Sequence, residues 1–218
     1  MRRLISSKWK SRSCIWLLAL MALMLMPSFM PSQTDVAGLE IPIYKGKLSQ
    51  TIKRRTAYTV SYNHDTRQPN WVAWVLTREH ASGNLPRADF EDDMDMPSPK
   101  GTKADYYNSG YDRGHMCPAG DNKWSQKAMN ECFLMTNMCP QNHSLNAGVW
   151  NTIEQQCRTW AKKYGKVYIV CGPVFLNKQH RKLGKNKVLV PGHLAHGQES
   201  PSHRFHLPQS VAEGQEEK

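Results

Sequence analysis

The 218-residue chain contains 6 cysteines but no Cys-x-x-Cys pair, and their spacings do not fit a zinc finger. It has no internal repeat and no long low-complexity tract, which argues against solenoid and propeller architectures. The acidic stretch 89–95, DFEDDMD, lacks the ligand spacing of an EF-hand and reads as a solvated loop instead of a calcium site. Strand and helix patterns do not alternate regularly, so a doubly wound fold is not expected. Nor is the one long apolar run suited to crossing a bilayer: residues 14–26, CIWLLALMALMLM, fall short of the ~20 that a spanning helix needs.

That run nevertheless has the flanks of a leader. Arg2, Arg3, Lys8, Lys10 and Arg12 precede or abut it, no acid occurs in 1–31, and Pro27 and Pro31 break it. The reading is an export signal over 1–31 that sends the protein to the periplasm or the exterior. No Ala-x-Ala cleavage site follows, so an uncleaved N-terminal membrane tether is the alternative, while Cys14 lies at the wrong end for lipid attachment. The leader takes five of the 29 Lys and Arg; the 24 that remain face 18 Asp and Glu, an excess of about six. That balance favours an anionic partner such as nucleic acid, and it sets no oligomeric state. Export would place Cys117, Cys132, Cys139, Cys157 and Cys171 in an oxidising setting, with two disulfides and one free thiol expected.

Along the rest of the chain, 32–56 forms a leading arm in which LEIPIY is a candidate edge segment. Residues 57–62 and 71–77 read as strands joined by the polar turn NHDTRQPN, and PSPKG at 97–101 as a loop. Residues 125–133 have helical character. The clearest helix runs from about 149 to 164, where Ile153, Cys157, Trp160 and Tyr164 repeat at helical spacing and Gly165 stops it. VYIVCG at 167–172 is a continuous apolar run and reads as a central strand. The class is α+β.

The chemistry concentrates in YDRGHM at 111–116 and in SLNAGVWNTIEQQCR at 144–158. Hydrolysis of a phosphodiester needs a base for water, positive charge for the phosphorane-like transition state, and a Lewis acid or proton donor at the leaving oxygen. His115 is the side chain whose ordinary pKa suits a base near neutral pH, and Arg113 supplies permanent charge to phosphate oxygens. Gly114 would let the backbone turn between them. A hard cation such as magnesium takes one or two protein oxygens and keeps its waters, and Asn146 and Glu154 offer such oxygens. Positions 146, 150, 154 and 158 step by four and form one stripe. Eight residues span ~12 Å of helix axis. Asn146 is therefore the direct ligand, and Glu154 holds a metal-bound water or Arg158.

YDRGHMCPAGDN followed by FLMTNMCPQNHSLNAGVWNTIEQQCR resembles the DNA/RNA non-specific endonuclease family, the ββα-metal nucleases that include endonuclease G. The resemblance runs from 57 to 190, which is taken as the endonuclease domain. It implies a mostly antiparallel central sheet flanked by helices, with DRGH on the hairpin part of a ββα motif. It also implies His115 as general base, Asn146 as ligand of magnesium with manganese able to substitute, and Glu154 as partner of a metal-bound water. Arg113 and Arg87, in LPRADF, would neutralise phosphate; Arg158 would support Glu154; Asp112 and Asn137 would shape the site. His143 is left structural. DNA and RNA are the implied substrates, with 5′-phosphate products.

After LGKNKVLVPG at 183–192 the expected aromatic-rich strand is missing. HLAHGQESPSHRFHLPQSVAEGQEEK is polar and lacks strand periodicity, so 191–218 reads as an atypical, disordered tail and the domain as truncated, with a sheet strand lost. Two rivals follow: an inactive nuclease relic, and a disulfide-stapled module that binds polyanions without chemistry.

Overall fold

A computed structural model describes residues 38, 40–42, 49–175, 179–200 and 203–206, with 197–200 and 203–206 as backbone alone. The leader at 1–31 and most of LEIPIY lie outside these residues. In chain order the strands are β1 (Thr51–Arg54), β2 (Thr59–Asn63), β3 (Gln68–Thr77), β4 (Asp112–His115), β5 (Met138–Gln141), β6 (Lys166–Val174), β7 (Lys182–Leu183), β8 (Val188–Leu189), β9 (His193–Ser200) and β10 (His203–His206). Two helices accompany them, α1 (Gln126–Cys132) and α2 (Asn151–Tyr164). A helical turn, His143–Leu145, and a π turn, Asn146–Trp150, lead into α2.

The main sheet has the order β1-β2-β3-β6-β9-β10, and every neighbouring pair is antiparallel. β4–β5 and β7–β8 form two small sheets of their own. The class is therefore the expected α+β. In β3 and β6 the apolar side chains fall in register: Val72 opposes Cys171, Trp74 opposes Ile169 and Leu76 opposes Val167. All six are buried on one face. Cys157 and Ala161 of α2 complete that core, with Ile153 and Trp160 packed at its margin. Each large aliphatic side chain buried there contributes about 1.5–3 kcal/mol.

Local signals explain the helix ends. Ser125 caps α1 by accepting from the Ala128 N–H, and Gly165, at φ 93°, closes α2 with its N–H on the Ala161 carbonyl. Only glycine adopts that left-handed conformation without steric cost. β6 is the central strand the apolar run suggests, but its burial alternates, because only one face meets α2.

Four differences from the sequence reading have physical causes. Tyr164 is 37% exposed, and the fully buried Ala161 takes its place against the sheet. The acidic stretch is not solvated throughout: Asp93 is 1% exposed and its carboxylate accepts from Arg55 and Thr136. The arm 32–56 contributes β1 to the sheet edge. The tail 191–218 is not strandless, since β9 pairs with β6 from Val174↔His193 to Tyr168↔Glu199 and covers the edge thought to be missing. Backbone pairing requires no alternation of side chains, so composition could not reveal it.

Ala161→Leu overfills the α2–sheet contact and should cost about 1–3 kcal/mol in urea denaturation. Tyr164→Ala should cost less, about 1 kcal/mol, since that residue is 37% exposed at the end of α2. The reverse order would mean that α2 packs on a different face.

Candidate active site

β4 and β5 pair antiparallel, with Asp112 opposite Gln141 and His115 opposite Met138, and the chain then enters the helical run that becomes α2. Two strands and a helix thus meet at one place. Gly114 serves close packing and not a turn: a Cβ there would fall 2.1 Å from the Gln141 side chain. The loop after His115 is tied down by Asn137, which is fully buried. Its Oδ1 accepts from the Cys117 N–H at 3.0 Å, and its Nδ2 donates to the carbonyls of Cys117 and Cys132 at 2.9 and 2.7 Å. Asn137 therefore holds the backbone beside His115 and does not line the cleft.

The cleft itself has a volume of about 560 Å³. Arg87, Asp112, Arg113, His115, Asn146, Glu154 and Arg158 all line it, together with Lys123 and Asn151, which the sequence reading did not single out. His115 lies against Phe133, ring centroids 4.6 Å apart, and against Phe90 at 5.6 Å. Burial, with Arg87 nearby, lowers its pKa to about 3, so the imidazole is neutral at physiological pH. Its Nε2 is buried and has no protein partner.

Asn146 is oriented by Asp112. Its Nδ2 donates to Asp112 Oδ2 at 2.9 Å, and because a carboxylate only accepts, this contact turns the amide nitrogen to Asp112 and releases Oδ1 for another partner. His143 shares the same carboxylate at 2.9 Å, a role for that residue that the sequence reading missed. The π turn explains how Asn146 reaches the cleft. Gly148 breaks the helix (φ −96°, ψ −110°), so Trp150 of the expected stripe turns into the core while Asn146 stays at the cleft.

Arg158 supports a different acid from the one expected. Its guanidinium donates to Asp121 at 2.9 Å, and Trp74 Nε1 donates to the other oxygen at 3.0 Å. Burial raises Asp121 to about 6 against the pull of Arg158. Glu154, half-buried, is raised further, to about 8, by burial and then by the charge of Asp121, with Arg158 and Arg87 opposing. Two acids and two arginines are therefore coupled through one cleft wall. Arg87 sits over the Phe133 ring at 5.1 Å, and Arg113 over Phe90 at 5.3 Å while donating to the Lys103 carbonyl. Neither is paired with a carboxylate among the described residues.

Residues 35–195 match the model of the DNA/RNA non-specific endonuclease family. Mitochondrial endonuclease G of Homo sapiens is 38% identical over 154 residues, covering 65% of this chain and 52% of that protein. The mitochondrial nuclease of Saccharomyces cerevisiae is 41% identical over 133 residues, covering 59% and 40%. A chain of the solved EndoG/EndoGI complex superposes with a TM-score of 0.68 at 32% identity, covering 78% of each chain. The chain spans about half the length of the endonuclease G relatives it matches.

These relatives are named as mitochondrial proteins, and that finding overturns the expectation of export. A basic, serine-bearing, acid-free segment such as 1–31 is also the composition of an organellar transit peptide, so charge and hydropathy could not separate the two. Among the described residues the expected disulfides do not form: Cys117, Cys132, Cys139, Cys157 and Cys171 are all buried and none bridges another. A disulfide-stapled module loses its staples. Among the described residues no helix is long and apolar enough to cross a membrane.

Arg158→Ala should destabilise the fold by about 3–5 kcal/mol in urea denaturation at pH 8, because it leaves a buried carboxylate uncompensated. The loss should shrink at pH 5, where Asp121 is protonated. Glu154 gives a second pH signature. Its folded pKa is raised from 4.5 to about 8, so in EDTA the folded protein holds a proton that the unfolded chain has released, and stability falls as pH rises across that window. Thermal melts of Glu154→Gln should lack this component; an unchanged pH slope would assign it to another group.

Proposed function

The chain belongs to the DNA/RNA non-specific endonuclease family, and on that premise we propose that it hydrolyses phosphodiester bonds of DNA and RNA with little sequence preference. The observation that carries this reading is the single cleft shared by a neutral buried imidazole, a carboxamide with a free oxygen, and unpaired arginines.

The donor set fits a hard cation. Among the described residues no group of three His, Cys, Asp or Glu could cage a metal, so a soft or strongly ligated ion has no site. Asn146 Oδ1, with Glu154 in the same wall, suits an ion that keeps most of its waters. Asn146 would hold magnesium, or manganese in its place, and when bound the ion would stabilise negative charge on the phosphate and on the leaving oxygen. Asp112 keeps the amide oriented. Glu154, whose carboxyl burial raises to about 8, would be the carboxylate available beside that ion.

His115 accepts the proton from the attacking water. Its proton affinity is lowered by burial and by Arg87. A phosphodiester anion lying between them offsets Arg87 and raises that affinity, so the base becomes effective only with substrate present. Water oxygen bonds to phosphorus, the bond to the 3′ oxygen breaks, and a 5′-phosphate remains. Arg87 and Arg113 compensate the charge that develops on the phosphoryl oxygens. Loose specificity follows from contacts to phosphate, which carry no sequence information.

Plasmid digestion tests the reading. The wild-type protein should cut with magnesium and stop in EDTA. His115→Ala should lose about 10²–10⁴ in rate, and Asn146→Ala should require far more magnesium for half-maximal rate. Cutting that persists in EDTA, or is indifferent to His115→Ala, would refute the mechanism; plasmid bound but never cut would refute the activity.

A further inference from the structure

A second cavity, of about 310 Å³, is lined by Asp65, Arg67, His180, Lys182, Lys187 and Leu189. It forms where the β2–β3 turn meets the β7–β8 hairpin, a junction closed by the Leu189 N–H on the Thr66 carbonyl and by Gln68 Nε2 on the Leu189 carbonyl. Arg67 and Lys187 both take φ 59°, a costly conformation for residues other than glycine. The hairpin is rigidly mounted. The Asn186 N–H and Nδ2 donate to Asp105 at 2.9 and 2.8 Å, and Gly184 leaves no room for a Cβ, which would fall 2.3 Å from Asp105.

Its basic groups are not neutralised by carboxylates among the described residues. Lys182, Lys185 and Lys187 are exposed and in no ion pair among the described residues. His180 Nε2 and Arg67 Nε are buried without a partner. Asp65 is the single acid in the lining, and it meets Arg67 through its backbone carbonyl. The sequence carries no Asp or Glu at all between Glu154 and Glu199. The tract is also joined to the cleft: Arg181 stacks 5.3 Å over Tyr111 and donates to the Ser109 carbonyl at 3.1 Å, and Tyr111 lines the cleft beside Asp112.

We propose that this cavity and the hairpin lysines bind a backbone phosphate of the duplex lying in the cleft, at a point away from the scissile bond. The site rests on the nuclease reading for its partner. It makes the hairpin an affinity device for long polyanions and gives it no part in the bond-breaking step. Rigid mounting matters here, because a fixed cationic surface orders fewer side chains on binding than a floppy one.

The test compares the wild-type protein with the triple variant Lys182→Gln, Lys185→Gln, Lys187→Gln, and with Lys182→Glu alone. Duplex binding is read by fluorescence anisotropy across a salt series in a His115→Ala background. Each lost phosphate contact lowers the magnitude of the slope of log K against log salt by about one, so the triple variant, which removes one phosphate site, should lose about one. In active protein, KM for a long duplex should rise about tenfold or more at ~0.15 M salt, while kcat, and hydrolysis of a small chromogenic diester that fills only the cleft, stay within twofold. Equal salt slopes in the two proteins would overturn the proposal, including the case in which the cavity takes only free inorganic phosphate. So would an equal loss on the small diester. If neither substrate is cut by wild-type protein, the nuclease reading fails, yet the anisotropy slopes still decide the cavity.

Discussion

A buried hydrogen bond anchors the strand part of the cleft to its helical part: the indole Nε1 of Trp150 donates to the carbonyl oxygen of His115 at 3.2 Å. The bond alone is worth about 0.5–1.5 kcal/mol. The buried indole, with 150–250 Å² of surface in a typical tryptophan, contributes about 4–6 kcal/mol at ~25 cal/mol per Å². Packing thus supplies the energy, and the bond supplies the register. It fixes where the run carrying Asn146, Glu154 and Arg158 lies relative to β4. Asn137 does the same from the other side by stapling the loop that follows His115 to the end of α1. If either anchor slipped, His115 and Asn146, which lie on different elements, would no longer line one cleft.

The electrostatics of the cleft follow from that burial. His115 loses its charge and Glu154 holds its proton, both through desolvation first. The protein itself thus keeps both groups neutral within the cleft wall. Asp121 and Arg158 keep a pair just behind, tied to the sheet through Trp74. This pair biases Glu154 from both sides, since Asp121 raises its proton affinity and Arg158 lowers it.

Much of this was legible because the motif is local. DRGH and the run from Asn146 to Arg158 sit on adjoining pieces of one supersecondary unit, so spacing in sequence translates into proximity. Side-chain pairing across the fold was not legible. Arg158 meets Asp121, which lies 37 residues earlier, and nothing in a spacing of four hints at that preference over Glu154. Position 150 also fell on the stripe of 146, 154 and 158 expected from helical spacing, but the π turn at Gly148 rotates it into the core. The cysteine and tail expectations failed for other reasons. One rested on an assumed compartment, and the other on looking for side-chain alternation where backbone pairing sufficed.

The net charge of the chain understates how its charges are deployed. Asp93 faces Arg55, Asp105 binds Thr102 and Asn186, Asp112 holds His143 and Asn146, and Asp121 holds Arg158. Each of these carboxylates is engaged in shaping loops or the cleft wall. The lysines of the β7–β8 hairpin have no such engagement and stand in a stretch without acids. A modest excess of basic residues becomes a directional field when the acids are drawn inward and the bases are left outside. On the proposed nuclease reading, such a field would attract a phosphate backbone whatever its bases, and the bond to be cut would be set by whichever phosphate settles between His115 and Asn146.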